Sequence, residues 1–130
     1  MSELELRAGG TDVSERQRSG ASQGEVADIR PAPEMTAITV MPDGGTRIGS
    51  LVTIAAIEAD SVLCSSYAGL TAAAGMLGTP EIRTIATLGG NLAQRSRCWY
   101  FRNPAFMCVT AQVPFFRWSG GQASIFRALA

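Results

Sequence analysis

The chain contains no histidine and no lysine. All 11 of its basic residues are arginine, and a guanidinium stays protonated at neutral pH and cannot serve as a base. Without histidine, the Ser-His and Cys-His couples that activate a nucleophile are excluded within this chain. Redox or acid–base chemistry would have to come from a bound cofactor. Cysteine is scarce: the 3 thiols, Cys64, Cys98 and Cys108, are an odd number that fits a reducing compartment better than a disulfide scaffold. No apolar run approaches the ~20 residues that cross a bilayer. Met1-Ser2-Glu3 has neither the basic nor the apolar segment of a secretion signal. These absences lead us to expect a cytoplasmic chain with no membrane partner. Acid is missing after Glu81, while Arg83, Arg95, Arg97, Arg102, Arg117 and Arg127 follow. The split suggests a local anionic ligand rather than nucleic acid, because these arginines form no dense stripe.

What is present is glycine, 14 in 130 residues, within a chain that is one domain or a piece of one. A hydrophobic share of 46% is enough for a core. The organising stretch is Thr84-Ile85-Ala86-Thr87-Leu88-Gly89-Gly90-Asn91-Leu92, which opens as a β-rich run and tightens at two glycines. An earlier loop, Ala8-Gly9-Gly10-Thr11-Asp12, follows the apolar alternation of Leu4 and Leu6. Adjacent glycines let backbone N–H groups converge on an anion, so two such loops suggest two jaws on one phosphate-bearing ligand. Gly-Gly turns also serve merely to reverse a chain, and that alternative stays open for either loop alone.

Along the chain, Leu4 to Arg7 reads as a strand. Ser14 to Gly24 reads as a short helical turn and a solvated connector. Val26 to Ile29 is a strand ended by Pro31 and Pro33. Ala37–Val40 and Arg47–Val52 flank Asp43-Gly44, which predicts a hairpin. Gly49 serves close strand packing or a ligand nearby. Thr53 caps a short helix holding Ile54 and Ile57, and Ser66 caps a second from Tyr67 to about Leu77, closed by Gly78-Thr79-Pro80. Cys64 and Met76 read as core filler. Two short helices and about five short strands predict an α+β domain.

Ala8-Gly9-Gly10-Thr11-Asp12 followed by Ala86-Thr87-Leu88-Gly89-Gly90-Asn91-Leu92 resembles the FAD-binding domain of the molybdenum hydroxylases. That family includes the flavin subunits of xanthine dehydrogenase, carbon monoxide dehydrogenase and aldehyde oxidoreductases. Gln94-Arg95-Ser96-Arg97-Cys98-Trp99-Tyr100-Phe101-Arg102 resembles the branch whose flavin subunit also carries an iron–sulfur cluster. The resemblance implies the FAD-binding fold shared with vanillyl-alcohol oxidase-type flavoproteins, incomplete at both ends here. It implies cofactor binding by Gly9, Gly10, Thr11, Asp12, Gly49, Thr87, Leu88, Gly89, Gly90 and Asn91. Asp12, an anion, is expected to fix its loop through an Asx turn rather than to touch phosphate.

The same resemblance assigns Cys98 and Cys108 to a [4Fe–4S] site. Such clusters take four thiolates, and nothing after Cys108 is cysteine, so these two are half a site. Free structural thiols are the alternative. Implied partners are a molybdopterin-binding large subunit and a [2Fe–2S] small subunit. The implied role is electron transfer from a partner's cluster through FAD to an acceptor, with enzymatic activity only if the chain binds flavin. Residues 1–108 follow the family pattern, and 109–130 form a divergent tail that suggests a frameshift or truncation. The rival readings are a non-catalytic remnant acting at most as an interaction surface, and a plain nucleotide-binding module that takes ADP as tightly as FAD.

Overall fold

The computed structural model describes residues 4–95, 97–103 and 105–106. The first strand, β1 (Glu5–Arg7), pairs in parallel with β2 (Val26–Asp28), from Glu5↔Val26 to Arg7↔Asp28. Parallel partners require a crossover, and α1 (Val13–Arg18) lies within it. Arg7 forks onto Asp28 at 2.6 and 2.8 Å and closes the pair at its outer end. A 3-10 turn at Pro33–Met35 leads to an antiparallel hairpin of β3 (Ile38–Val40) and β4 (Thr46–Ile48). Its turn is set by Asp43, whose carboxylate accepts from the Gly45 N–H at 2.9 Å.

The remainder is helical: α2 (Ile54–Ala59), α3 (Ser61–Ser66), α4 (Ala68–Gly75), α5 (Pro80–Ile85), α6 (Leu88–Ala93) and α7 (Trp99–Arg102). Side-chain caps start four of these. Thr53 accepts from Ala56, Asp60 from Leu63, Thr79 from Ile82 and Thr87 from Gly90. Helix α2 is the hub, packed on α3, α4 and α5. Val52, Ile54, Ile57, Leu63, Ala74 and Ala86 form the core, with Ile38, Ile48, Leu70, Leu77, Ile82 and Leu88 packed on it.

An α+β domain stands, but with a different inventory: four strands and seven α-helices among the described residues. The expected helix from Tyr67 is preceded by α3, and Asp60 rather than Ser66 is the cap that starts that region. Tyr67 separates α3 from α4 at φ −135°, ψ 49°, outside helical geometry. The β-rich reading of Thr84–Leu88 fails for Leu88, which opens α6, and for Thr84 and Ile85, which belong to α5. There Thr79 as N-cap and Pro80 at the first helical position outweigh the β-branched Ile82, Thr84 and Ile85. Strand character survives in the bridge Thr53↔Thr87. Cys64 is exposed and Met76 is 76% exposed, so neither fills the core. The expected boundary between 108 and 109, and the tail beyond it, lie outside the described residues.

Candidate functional site

Two glycine loops meet. The first leaves β1 at Ala8, and Gly10 turns it with φ +74°, a left-handed conformation that side chains resist. Gly9 lies so close to the chain before α6 that a Cβ would overlap the Ile85 carbonyl. The second loop, Ala86 to Gly90, is fixed by backbone bonds to the segment after β4. Ile54 donates to the Ala86 carbonyl at 2.9 Å, Leu88 to Val52 at 2.9 Å, and Gly89 to Ser50 at 2.7 Å. Gly9 is thereby brought against Ile85, and Gly89 against Ser50, from distant parts of the chain.

Between the loops lies a cavity of about 450 Å³, within the usual range for ligand pockets. Gly9, Gly10, Thr11 and Asp12 line one side; Thr87, Gly89 and Gly90 line the other. Leu4, Leu6, Ala8 and Ile29 supply an apolar wall, and Ser50 and Leu51 complete the lining. Of the residues singled out in the sequence, Gly49, Leu88 and Asn91 do not line it. Gly49 is buried beneath the Glu34–Met35 backbone and donates to the Ala37 carbonyl at 2.9 Å. Leu88 packs on the core.

The first-turn N–H groups of α6 are already engaged. Besides Leu88 and Gly89, Gly90 donates to Thr87 Oγ1 at 3.2 Å and Asn91 to the Thr87 carbonyl at 2.9 Å. The second loop therefore presents a backbone free of Cβ atoms rather than the convergent N–H groups expected of it. Gly9, Gly10, Gly89 and Gly90 line the cavity, and where a Cβ would stand each meets the chain itself: the Ile85 carbonyl, Ser14 Oγ, Ser50 and Thr87 Oγ1 respectively.

Asp12 does not make the expected Asx turn, and as the residue before α1 it gives no side-chain cap. Instead its Oδ1 accepts from Arg102 Nη2 at 2.6 Å, and Oδ2 accepts from Arg16 Nε at 3.0 Å and the Arg95 N–H at 3.3 Å. Arg16 also forks onto Glu5 at 2.7 and 3.0 Å, and Arg102 pairs with Glu15. The short helical turn expected from Ser14 is α1, and within it Arg16 is buried rather than solvated. Its hydrogen bond holds Glu5 below the ordinary carboxylate value, against burial that pushes the other way. For Arg16 burial acts downward, and the bonds to Glu5 and Asp12 outweigh it and raise the guanidinium.

Sequence reasoning passed over Glu5, Arg16, Ser50, Leu51, Ala93, Gln94 and Arg95, all of which line the cavity. The i,i+4 spacing of Asp12 and Arg16 was the available signal. Cys98 is half-buried directly before α7. Cys108 lies outside the described residues. Among the described residues no group of three or more acid, cysteine or histidine side chains could hold a metal ion. No helix among them is long and apolar enough to cross a membrane.

A family model described as the FAD binding domain in molybdopterin dehydrogenase matches residues 2–124. The xanthine dehydrogenase FAD-binding subunit of Escherichia coli O157:H7 is 36% identical over 91 residues, covering 69% of this chain and 31% of that one. The nicotinate dehydrogenase FAD-subunit of Eubacterium barkeri is 37% identical over 90 residues, covering 68% and 30%. Among solved structures, quinoline 2-oxidoreductase from Pseudomonas putida 86 superposes with a TM-score of 0.66 at 21% identity, over 72% of this chain and 33% of that one. Carbon monoxide dehydrogenase from Hydrogenophaga pseudoflava gives 0.63 at 24% identity, over 72% and 32%. The chain thus spans about a third of the length of these relatives, at 30–31% for the two sequences.

Proposed function

The chain belongs to the family of FAD-binding domains found in molybdopterin dehydrogenases, and from that premise we propose that its cavity receives the diphosphate of FAD. The observation that supports this is the shared lining: Gly9 and Gly10 face the same 450 Å³ hollow as Gly89 and Gly90. The cradle fits the group. Thr11 and Thr87 line the hollow beside the glycines, and their hydroxyls can donate to a diphosphate. Leu4, Leu6 and Ile29 give the hollow an apolar side against which the less polar part of such a ligand can rest. Gly49, Leu88 and Asn91 do not line the hollow. When bound, FAD supplies the capacity to take up and pass on electrons.

The wider reading is an electron-transfer role within a molybdenum hydroxylase. A molybdopterin-binding large subunit and a [2Fe–2S] small subunit would be separate chains, and electrons would pass from a partner's cluster through FAD to an acceptor. The flavin-binding unit would comprise residues 1–108. A cytoplasmic setting goes with this reading. A [4Fe–4S] cluster is not part of the proposal.

Titration of the full chain with FAD, followed by flavin fluorescence, tests the reading. Saturable binding, with FAD held more tightly than ADP, is the expected result. Equal affinity for ADP favours a plain nucleotide-binding module, and no saturation removes the cofactor assignment.

A further inference from the structure

We propose that Asp12 is a positioning residue that sets the gap between the two glycine loops and never touches the ligand between them. Its effect on FAD rests on the cofactor reading above; its bracing role rests on geometry alone. Both carboxylate oxygens are taken, by Arg16 from α1, by the Arg95 N–H just after α6, and by Arg102 from α7. The last two partners lie 83 and 90 residues away in the chain. Asp12 directly follows the first loop, and Arg95 follows the helix that carries Gly89 and Gly90. One buried carboxylate thus ties the first jaw to the segment leaving the second.

The surrounding charges reinforce the tie. Arg102 also pairs with Glu15, which pins α7 to α1, and Arg16 with Glu5, which pins α1 to β1. Within the cluster, Asp12, Arg16 and Arg102 are each buried. Removing one partner from such a set leaves the others uncompensated in a poorly solvating interior. A carboxylate aimed at a diphosphate would repel it. As a brace, the same negative charge closes the cavity around it.

Amide hydrogen exchange and FAD titration on the full chain, with D12N, R102M, the double variant and D12E, decide the matter. Expected are exchange rates raised at least about tenfold at residues 9–14 and 87–95 in D12N and R102M, with 54–63 unchanged, because local opening is read separately from global unfolding. FAD binding should weaken about tenfold in either single variant and no further in the double, since both remove one shared tie. D12E, which keeps the charge, should recover part of the loss. Loop exchange as in the wild type, or exchange rising uniformly through 54–63, overturns the brace. Tighter FAD binding by D12N also overturns it, because it places the charge against the ligand. Failure of the wild type to bind FAD removes only the cofactor reading, and the exchange rates still decide the brace. R102M leaves the first loop's own residues intact and carries the test if D12N does not fold.

Discussion

Arg16 lies between two carboxylates, Glu5 and Asp12, and is itself buried. Replacing it with methionine takes the guanidinium from the half-buried Glu5, while Asp12 keeps Arg102 and the Arg95 N–H, so we expect Arg16→Met to cost about 3 kcal/mol in urea unfolding at pH 7. The pH dependence has a definite sign. Glu5 ionises in the folded chain below its ordinary value of 4.5. The unfolded chain therefore binds the proton more readily, and the stability from this pair is complete above that value and lost as pH falls through the folded one. Urea midpoints should stay level from pH 7 to about 5.5, drop below about 4.5, and drop less steeply in Glu5→Gln. Gly9 gives a steric prediction, since a Cβ there overlaps the Ile85 carbonyl. Gly9→Ala should lose about 1–3 kcal/mol and widen the cavity, checked by unfolding and by FAD titration. The Asp12–Arg16 spacing was legible in the sequence, and Arg102 was not. Nothing local pairs residues 90 positions apart until the fold brings α7 onto α1.

Helices here are begun by short polar side chains. Thr87 is the most consequential, because it caps α6, bridges to Thr53 and lines the cavity. Thr87→Ala should lose about 1 kcal/mol or more in thermal unfolding, at the upper end for a cap, and weaken FAD binding as well. Thr53→Ala should cost a similar amount without the binding defect, since Thr53 does not line the cavity. The hub helix α2 holds Ile57, fully buried at 0% exposure, and Ile57→Ala should cost about 2–5 kcal/mol. Of these elements, β1, β2, the hairpin and α2 could be read from apolar alternation, turn residues and one cap. Helix α3 was hidden because Asp60-Ser61 was not taken as a start, and α5 because β-branched side chains masked the Thr79-Pro80 signal. In both cases a boundary residue decided the element against the propensity of its interior.

At the scale of the molecule, the two glycine loops of the sequence do share one hollow, and the recurrence of the motif was the clue to it. The depth of ionic bracing behind the first loop was not visible, since it depends on tertiary neighbours. A ligand that selects this closed arrangement stabilises it by mass action. FAD at about 100 times its Kd should therefore add about 2.7 kcal/mol, seen as a raised Tm that ADP reproduces only in part. Leu4 and Leu6, 59% and 63% exposed, belong to the same wall, so flavin should also shield them from solvent. The carboxylate of Asp12 also imposes an order in time. Its partners Arg95 and Arg102 are synthesised 83 and 90 residues after it. At ordinary translation speeds the nascent amino end waits on the order of ten seconds for them. Until then the first jaw has nothing to close upon, and a ligand that needs both jaws has to wait for the second.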